Sequence, residues 1–114
     1  MEEGKTLRPD PKVLEELVQR IRAVVHPTRI ILFGSAAREE MGPDSDLDVL
    51  VVVPEGIHRR HTAQRIYRQL IGFPLAVDVV VATDSDLQRH HNNFSLVYYP
   101  ALREGREIYA AESA

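Results

Sequence analysis

A Gly-Ser pair directly after an apolar run is the first feature whose residue types could do chemistry. Gly34-Ser35 follows the β-branched and aromatic run Ile30 to Phe33, which predicts a strand that enters a tight turn. Glycine allows the backbone to come close to a ligand, and the Ser35 hydroxyl with the N–H groups of the turn suits a phosphate. Gly34 and Ser35 are therefore candidates for binding the β- and γ-phosphates of a nucleotide.

Two aspartates open the next apolar run. Asp46 and Asp48 belong to a predicted strand, Asp46 to Val53. Because strand side chains alternate between faces, both carboxylates are expected to project from the same side, at a separation that suits magnesium.

A third aspartate, Asp78, interrupts the apolar run from Leu75 to Ala82 and is predicted to be buried in a strand. Buried carboxylates are normally paired, capped or bound to metal. Either Arg29 or Arg38 could pair with it, or it could share divalent cations with the other two aspartates. In the second case Asp78 is the third ligand and the candidate base for an acceptor hydroxyl.

The ordered combination predicts metal-assisted nucleotidyl transfer with two Mg²⁺ ions, one beside the attacking oxygen and one beside the leaving pyrophosphate. Arg38, one helical turn after the Gly-Ser pair, is a candidate for neutralising the phosphates. Ser45 is a further nucleotide-binding candidate, although it could instead shape the turn before the strand. Each motif alone is common, so the prediction depends on their order and spacing.

Composition limits the other function classes. The chain has 114 residues, 44% of them apolar, and a net charge of −3. We therefore expect a single domain over residues 1–114, with 1–9 loosely ordered, and no sequence-specific nucleic-acid binding. With no cysteine, no apolar signal core and no apolar run of about 18 residues, the sequence predicts a cytoplasmic protein that does not enter a membrane.

The apolar spacing predicts an α+β domain. An N-cap at Asp10 and a first-turn proline begin a helix that we expect Pro27 to end. The remaining predicted strands are Thr28–Phe33 and the edge strand Glu107–Ala110, and the remaining predicted helices are Ala36–Met41, His58–Ile71, a helix capped by Thr83–Asp86 that runs to His91, and Phe94–Arg103.

The sequence resembles the minimal nucleotidyltransferases of the DNA polymerase β superfamily. The resemblance lies in the runs Phe33–Arg38 and Pro43–Asp48, continues through Val77–Val80, and closes with Leu102–Tyr109. It implies a mixed β-sheet flanked by helices, with the active site on one open face. The chain departs from the family pattern after Arg38, where a glycine is usual and Glu39 stands instead.

The small members of this superfamily resemble antitoxins encoded beside a HEPN-domain ribonuclease. The resemblance implies transfer of AMP from ATP to a tyrosine hydroxyl of that toxin. Two alternatives remain open: transfer to a small hydroxylated molecule such as an aminoglycoside, and a binding antitoxin that occludes its partner without catalysis. The assembly state, homo-oligomeric or hetero-oligomeric, is also open.

One predicted helix is strongly basic. His58 to His61 reads His-Arg-Arg-His, and Arg65 and Arg68 follow. This helix could dock an acidic partner or RNA, or it could be a solvated charged face.

Overall fold

The computed structural model describes residues 9–42, 46–90 and 103–111, which form a four-stranded mixed sheet with helices. In chain order the elements are α1 (Pro11–Arg22), β1 (Arg29–Phe33), a 3₁₀ turn (Gly34–Ala36), β2 (Leu47–Val53), α2 (Arg59–Gln69), β3 (Val77–Thr83), α3 (Asp84–His90) and β4 (Arg106–Ala110). The predicted α+β class is confirmed. The predicted helix Phe94–Arg103 lies largely outside the described residues.

Helix α1 begins as predicted but ends early. The Asp10 carboxylate accepts a hydrogen bond from the Lys12 N–H at 2.8 Å, and Pro11 occupies the first turn, where its missing N–H is no loss. The helix ends at Arg22 with Ala23 as its C-cap, so the prediction that Pro27 ends it was wrong. Two further valines of the apolar pattern therefore pack from the loop after the helix.

The sheet order is β3-β2-β1-β4. Strand β1 pairs antiparallel with β2 and with β4, whereas β2 and β3 are parallel. Strand β2 is central and buried on both faces except near its start, as its continuous apolar run predicted. Strands β3 and β4 are the edges, and the predicted edge strand at the C-terminal end is confirmed.

Alternation along the strands divides the core into two clusters. One cluster joins the sheet to α1 and α2 through Leu17, Ile21 and Ile66, which are fully buried. The second cluster, on the opposite face, contains Phe33 and Leu50 and packs against α3. Asp48 and Asp78 each lie two residues before a member of this second face, so both carboxylates project away from α1 and α2.

Helix α3 carries the predicted cap. The Thr83 hydroxyl accepts from the Asp86 N–H at 3.2 Å, and the Asp86 carboxylate accepts from the Thr83 N–H at 2.9 Å. Asp86 is buried and also pairs with Arg59 and Arg89. Burial alone would raise the pKa of Asp86, but the hydrogen bonds from Thr83 and Arg59 outweigh it and lower this pKa.

Within the described residues, none of the helices has the length and apolar character needed to cross a bilayer.

Candidate active site

The turn after β1 brings backbone against a carboxylate. Gly34 has φ +74°, a conformation that side-chain-bearing residues rarely adopt. A Cβ atom at Gly34 would overlap the Asp48 Oδ2 atom and would lie 3.2 Å from the Asp48 Cγ. Glycine is therefore required twice here, by the backbone angle and by the approach of Asp48.

The segment after Gly34 is a tight turn rather than a regular helix. The Gly34 carbonyl accepts hydrogen bonds from the N–H groups of Ala37 at 3.1 Å and Arg38 at 3.2 Å, and the Ser35 carbonyl accepts from Glu40 at 2.8 Å. The 3₁₀ turn covers only Gly34–Ala36, so the predicted helix Ala36–Met41 was wrong. The Ser35 side chain forms no hydrogen bond within the described parts of the chain, and its hydroxyl remains available there.

The sheet register aligns two of the three candidate aspartates. Asp48 of β2 and Asp78 of β3 are direct partners in the parallel pair. Asp46 lies one residue before β2 rather than inside it, and its side chain is exposed. The three carboxylates nevertheless interact, because both Asp78 and Asp46 act electrostatically on Asp48.

The surroundings of Asp48 disfavour its ionised form. Burial raises the pKa of the Asp48 carboxyl, and the negative charges of Asp78 and Asp46 raise it further. A hydrogen bond with the Asp78 side chain adds to the same shift, while the positive charge of Arg38 opposes it. Asp48 is thus a half-buried carboxylate whose ionised form lacks sufficient positive charge around it.

Asp78 is exposed, so the prediction that it is buried was wrong. It is the second residue of β3, and β3 is an edge strand, so one side of it is open to solvent. The penalty expected for a buried carboxylate applies instead to Asp48. Neither Arg29 nor Arg38 pairs with Asp78: Arg29 pairs with Glu107 at 2.7 Å and Arg38 with Glu40 at 2.9 Å.

The donor set at this end of the sheet fits magnesium in part. Among the described residues, no group of three His, Cys, Asp or Glu side chains is arranged to hold a metal ion. Mg²⁺ in phosphate chemistry is, however, usually held by one or two carboxylates together with the substrate phosphates. Asp48 and Asp78 provide such a pair, and the raised pKa of Asp48 is the mark of a carboxylate that a cation would stabilise.

Arg38 lies near Asp48 but is already engaged. Its Nε atom contacts Glu40 Oε1 at 2.9 Å and its Nη1 atom contacts Glu104 Oε1 at 3.5 Å. The hydrogen bond that Arg38 donates to the Glu40 carboxylate is the main cause that raises the pKa of Arg38. A triphosphate would have to replace these exposed carboxylates to bind this guanidinium.

Glu39 stands where the family usually has glycine, and its backbone has a conformation that favours glycine. Its φ is +59°, the left-handed region, and no other non-glycine residue in the described residues has a positive φ. The glycine usual after the arginine would adopt this angle without strain. The Glu39 carboxylate lies 3.9 Å from Arg106 of β4, a weak exposed ion pair.

One contact near the site was not predicted from the sequence. The Tyr67 hydroxyl of α2 accepts a hydrogen bond from the Val79 N–H at 2.8 Å, on the residue after Asp78. Helical spacing indicated that α2 packs on the sheet, but no local signal connects Tyr67 with β3. Ser45 and the turn before β2 lie outside the described residues.

A glycine turn that faces carboxylates on adjacent strands of a small mixed sheet defines an α+β protein equipped for phosphate chemistry. A family model described as a nucleotidyltransferase domain matches residues 11–102. The chain therefore belongs to the nucleotidyltransferase domain family, and the resemblance in its motifs is confirmed. No curated protein matches the chain.

Three solved structures share the fold. A protein named as a nucleotidyltransferase from Sulfolobus solfataricus has a TM-score of 0.61 and 18% identity, over 88% of this chain and 79% of its own. A toxin–antitoxin with AMP-PNP has a TM-score of 0.61 and 16% identity, over 87% and 74%. A mutant of the toxin–antitoxin MntA-HpeT has a TM-score of 0.58 and 14% identity, also over 87% and 74%.

Proposed function

We propose that this chain is a single-domain cytoplasmic antitoxin that transfers AMP from ATP to a hydroxyl, a tyrosine hydroxyl by family resemblance, of a HEPN-type toxin. The observation that carries the proposal is the approach of Gly34 to Asp48, with Asp78 beside it in register. A glycine turn beside two carboxylates, in a chain of the nucleotidyltransferase family, supports the proposal.

Each candidate residue has a role in this proposal. Gly34 and Ser35 bind the β- and γ-phosphates, with Ser45 on the nucleotide and Arg38 recruited from its carboxylate partners. Asp46, Asp48 and Asp78 would hold Mg²⁺, which supplies charge stabilisation at the reacting phosphorus.

The transfer step balances with these groups. The acceptor oxygen forms a bond to the α-phosphorus of ATP, and the bond from that phosphorus to the bridging β-phosphate oxygen breaks. Asp78 takes the hydroxyl proton, and pyrophosphate leaves with the electron pair. The exposure of Asp78 on an edge strand supports this role, because an acceptor on another protein can reach it.

The structural neighbours give limited support for the biological setting. One of them is a toxin–antitoxin with AMP-PNP, an analogue of ATP. In the mutant of another, two aspartates spaced two residues apart are exchanged for glutamate. Asp46 and Asp48 have the same spacing.

The test is intact mass spectrometry of a purified HEPN-type protein incubated with ATP, Mg²⁺ and this chain. We expect a mass gain of one or more AMP units with the wild type and none with Asp48→Asn. Asp84→Asn is the matched control, because Asp84 is an exposed aspartate at the far end of β3 and should leave transfer intact. Full transfer by Asp48→Asn would contradict the proposed site.

A second candidate, occlusion without catalysis, is favoured by the state of Arg38. Two carboxylates pair with this arginine, and Glu39, the next residue in the sequence, carries a further negative charge. If the chain acts by occlusion, Asp48→Asn should neutralise the toxin as well as the wild type does. The toxin should then gain no mass with either the wild type or the variant.

A further inference from the structure

We propose that the exposed face of α2 is the surface on which the acceptor protein docks, and that the acceptor presents acidic side chains around an apolar contact. This proposal rests on the proposed function and identifies where its protein substrate binds. This surface, called here the α2 surface, consists of five residues of the helix and one residue of the turn that follows it: Arg60, Gln64, Arg65, Tyr67, Arg68 and Ile71.

The exposed face of α2 carries uncompensated positive charge. Across residues 9–42, 46–90 and 103–111, Arg60, Arg65 and Arg68 form no ion pair, whereas Arg20 and Arg29 each pair with a glutamate. Their positive charges project from one face of a chain whose net charge is −3. A partner with acidic side chains would be attracted to this face, and a partner with basic side chains would be repelled from it.

Exposed apolar side chains lie beside that charge. Ile71 is 78% exposed and Tyr67 is 44% exposed. They are two of the three large apolar side chains that are exposed in the described residues. Tyrosine and arginine are the residue types enriched where interfaces contribute most binding energy. A protein partner would bury Ile71, whereas an RNA backbone would gain nothing from it.

The α2 surface lies near the candidate active site. Helix α2 connects the end of β2 to the start of parallel β3, so it runs antiparallel to both and its last turn lies at the Asp78 end of the sheet. The Tyr67 hydroxyl reaches the outer edge of β3 and accepts from the Val79 N–H. Asp78 lies on the other face of β3, but β3 is the edge strand. A protein bound to Tyr67 and Ile71 therefore has to extend around only β3 to place a hydroxyl beside Asp78.

The test compares binding and transfer in three variants. Arg68→Glu and Ile71→Ala alter the α2 surface. Lys12→Glu is the matched charge reversal, because Lys12 is also exposed and helical but lies on α1. The probe is a purified HEPN-type protein, the acceptor class of the proposed function, titrated calorimetrically, and binding of fluorescent ATP with Mg²⁺ is measured in parallel.

We expect Arg68→Glu and Ile71→Ala each to weaken probe binding about tenfold, as for residues at the centre of an interface. Lys12→Glu should stay within about twofold of the wild type, since it leaves the α2 surface intact. AMP transfer by the first two variants should recover at saturating probe, and their ATP binding should match the wild type.

Three results would overturn the proposal. Wild-type affinity in both variants would leave the α2 surface a solvated face. Loss of tRNA binding in Arg68→Glu without loss of probe binding would make the surface an RNA site. Loss of self-association without loss of probe binding would make it a contact between copies of this chain. Absence of transfer by the wild type, with probe binding still dependent on Arg68, would instead contradict the proposed function alone.

Discussion

Asp48 carries a negative charge that its surroundings disfavour. Its carboxylate is half-buried, lies against the Gly34 backbone and is in register with Asp78. Two further negative charges and one positive charge act on it, and the net effect raises its pKa. A folded protein that maintains such a carboxylate loses stability when it ionises, and a cation at this place would restore that stability.

The first prediction concerns the pH dependence of stability without divalent ions. Because the folded pKa of Asp48 is raised, the native state binds its proton more tightly than the unfolded state does, and stability is lost as the pH rises through the folded pKa. Asp48→Asn should therefore be more stable than the wild type at pH 7. The difference should shrink as the pH falls towards 3.8, the ordinary value.

Urea unfolding at several pH values in the presence of EDTA measures this difference. Asp84→Asn, which is remote from the three aspartates, should show no comparable pH-dependent gain. A wild type as stable as Asp48→Asn at pH 7 would mean that the carboxylates do not repel one another in solution.

At the scale of elements, the turn between β1 and β2 carries a local strain. Glu39 has φ +59°, and the left-handed region costs a residue with a Cβ about 1–2 kcal/mol. Replacement by glycine removes this strain but increases the entropy of the unfolded chain, which costs about 0.4–1 kcal/mol. The exposed contact of Glu39 with Arg106 offsets little of the strain.

We therefore expect Glu39→Gly to raise the free energy of unfolding by about 0.5–1 kcal/mol, measured by chemical denaturation. Glu39→Ala is the control, because it removes the same charge but retains the Cβ atom. Equal stabilisation by both variants would assign the effect to the charge and not to the backbone angle.

The helices show which elements local sequence can predict. The cap of α3 was correctly predicted from Thr83 to Asp86, because both partners of a capping box lie within four residues. The additional pairing of Asp86 with Arg59 was not predicted, because Arg59 is 27 residues away in sequence. The predicted helix Ala36–Met41 failed for a local reason, since the turn closes onto Gly34 and then enters the left-handed region at Glu39.

At the scale of the molecule, the order of the strands in the sheet determines which apolar strands are buried. Continuous apolar runs predicted buried strands, and for β2 this was correct because it is central. The same pattern placed Asp78 in a buried strand, but the strand order makes β3 an edge, and the start of β3 is exposed. The register that aligns Asp48 with Asp78 likewise depends on pairing between distant segments, which no local spacing encodes.

The last prediction connects the site with the stability of the whole molecule. A ligand that binds only the folded state stabilises it by RT ln(1 + [L]/Kd), about 1.4 kcal/mol at ten times the Kd, which raises the melting temperature of a domain of this size by roughly 5 °C. We expect Mg²⁺ with ATP to produce such a shift in the wild type and in Asp84→Asn, and ATP with EDTA to produce less. Asp48→Asn should melt at the same temperature with and without Mg²⁺ and ATP, because the carboxylate that the cation would relieve is gone. Differential scanning fluorimetry measures these melting temperatures, and an undiminished shift in Asp48→Asn would place magnesium binding away from Asp48 and Asp78.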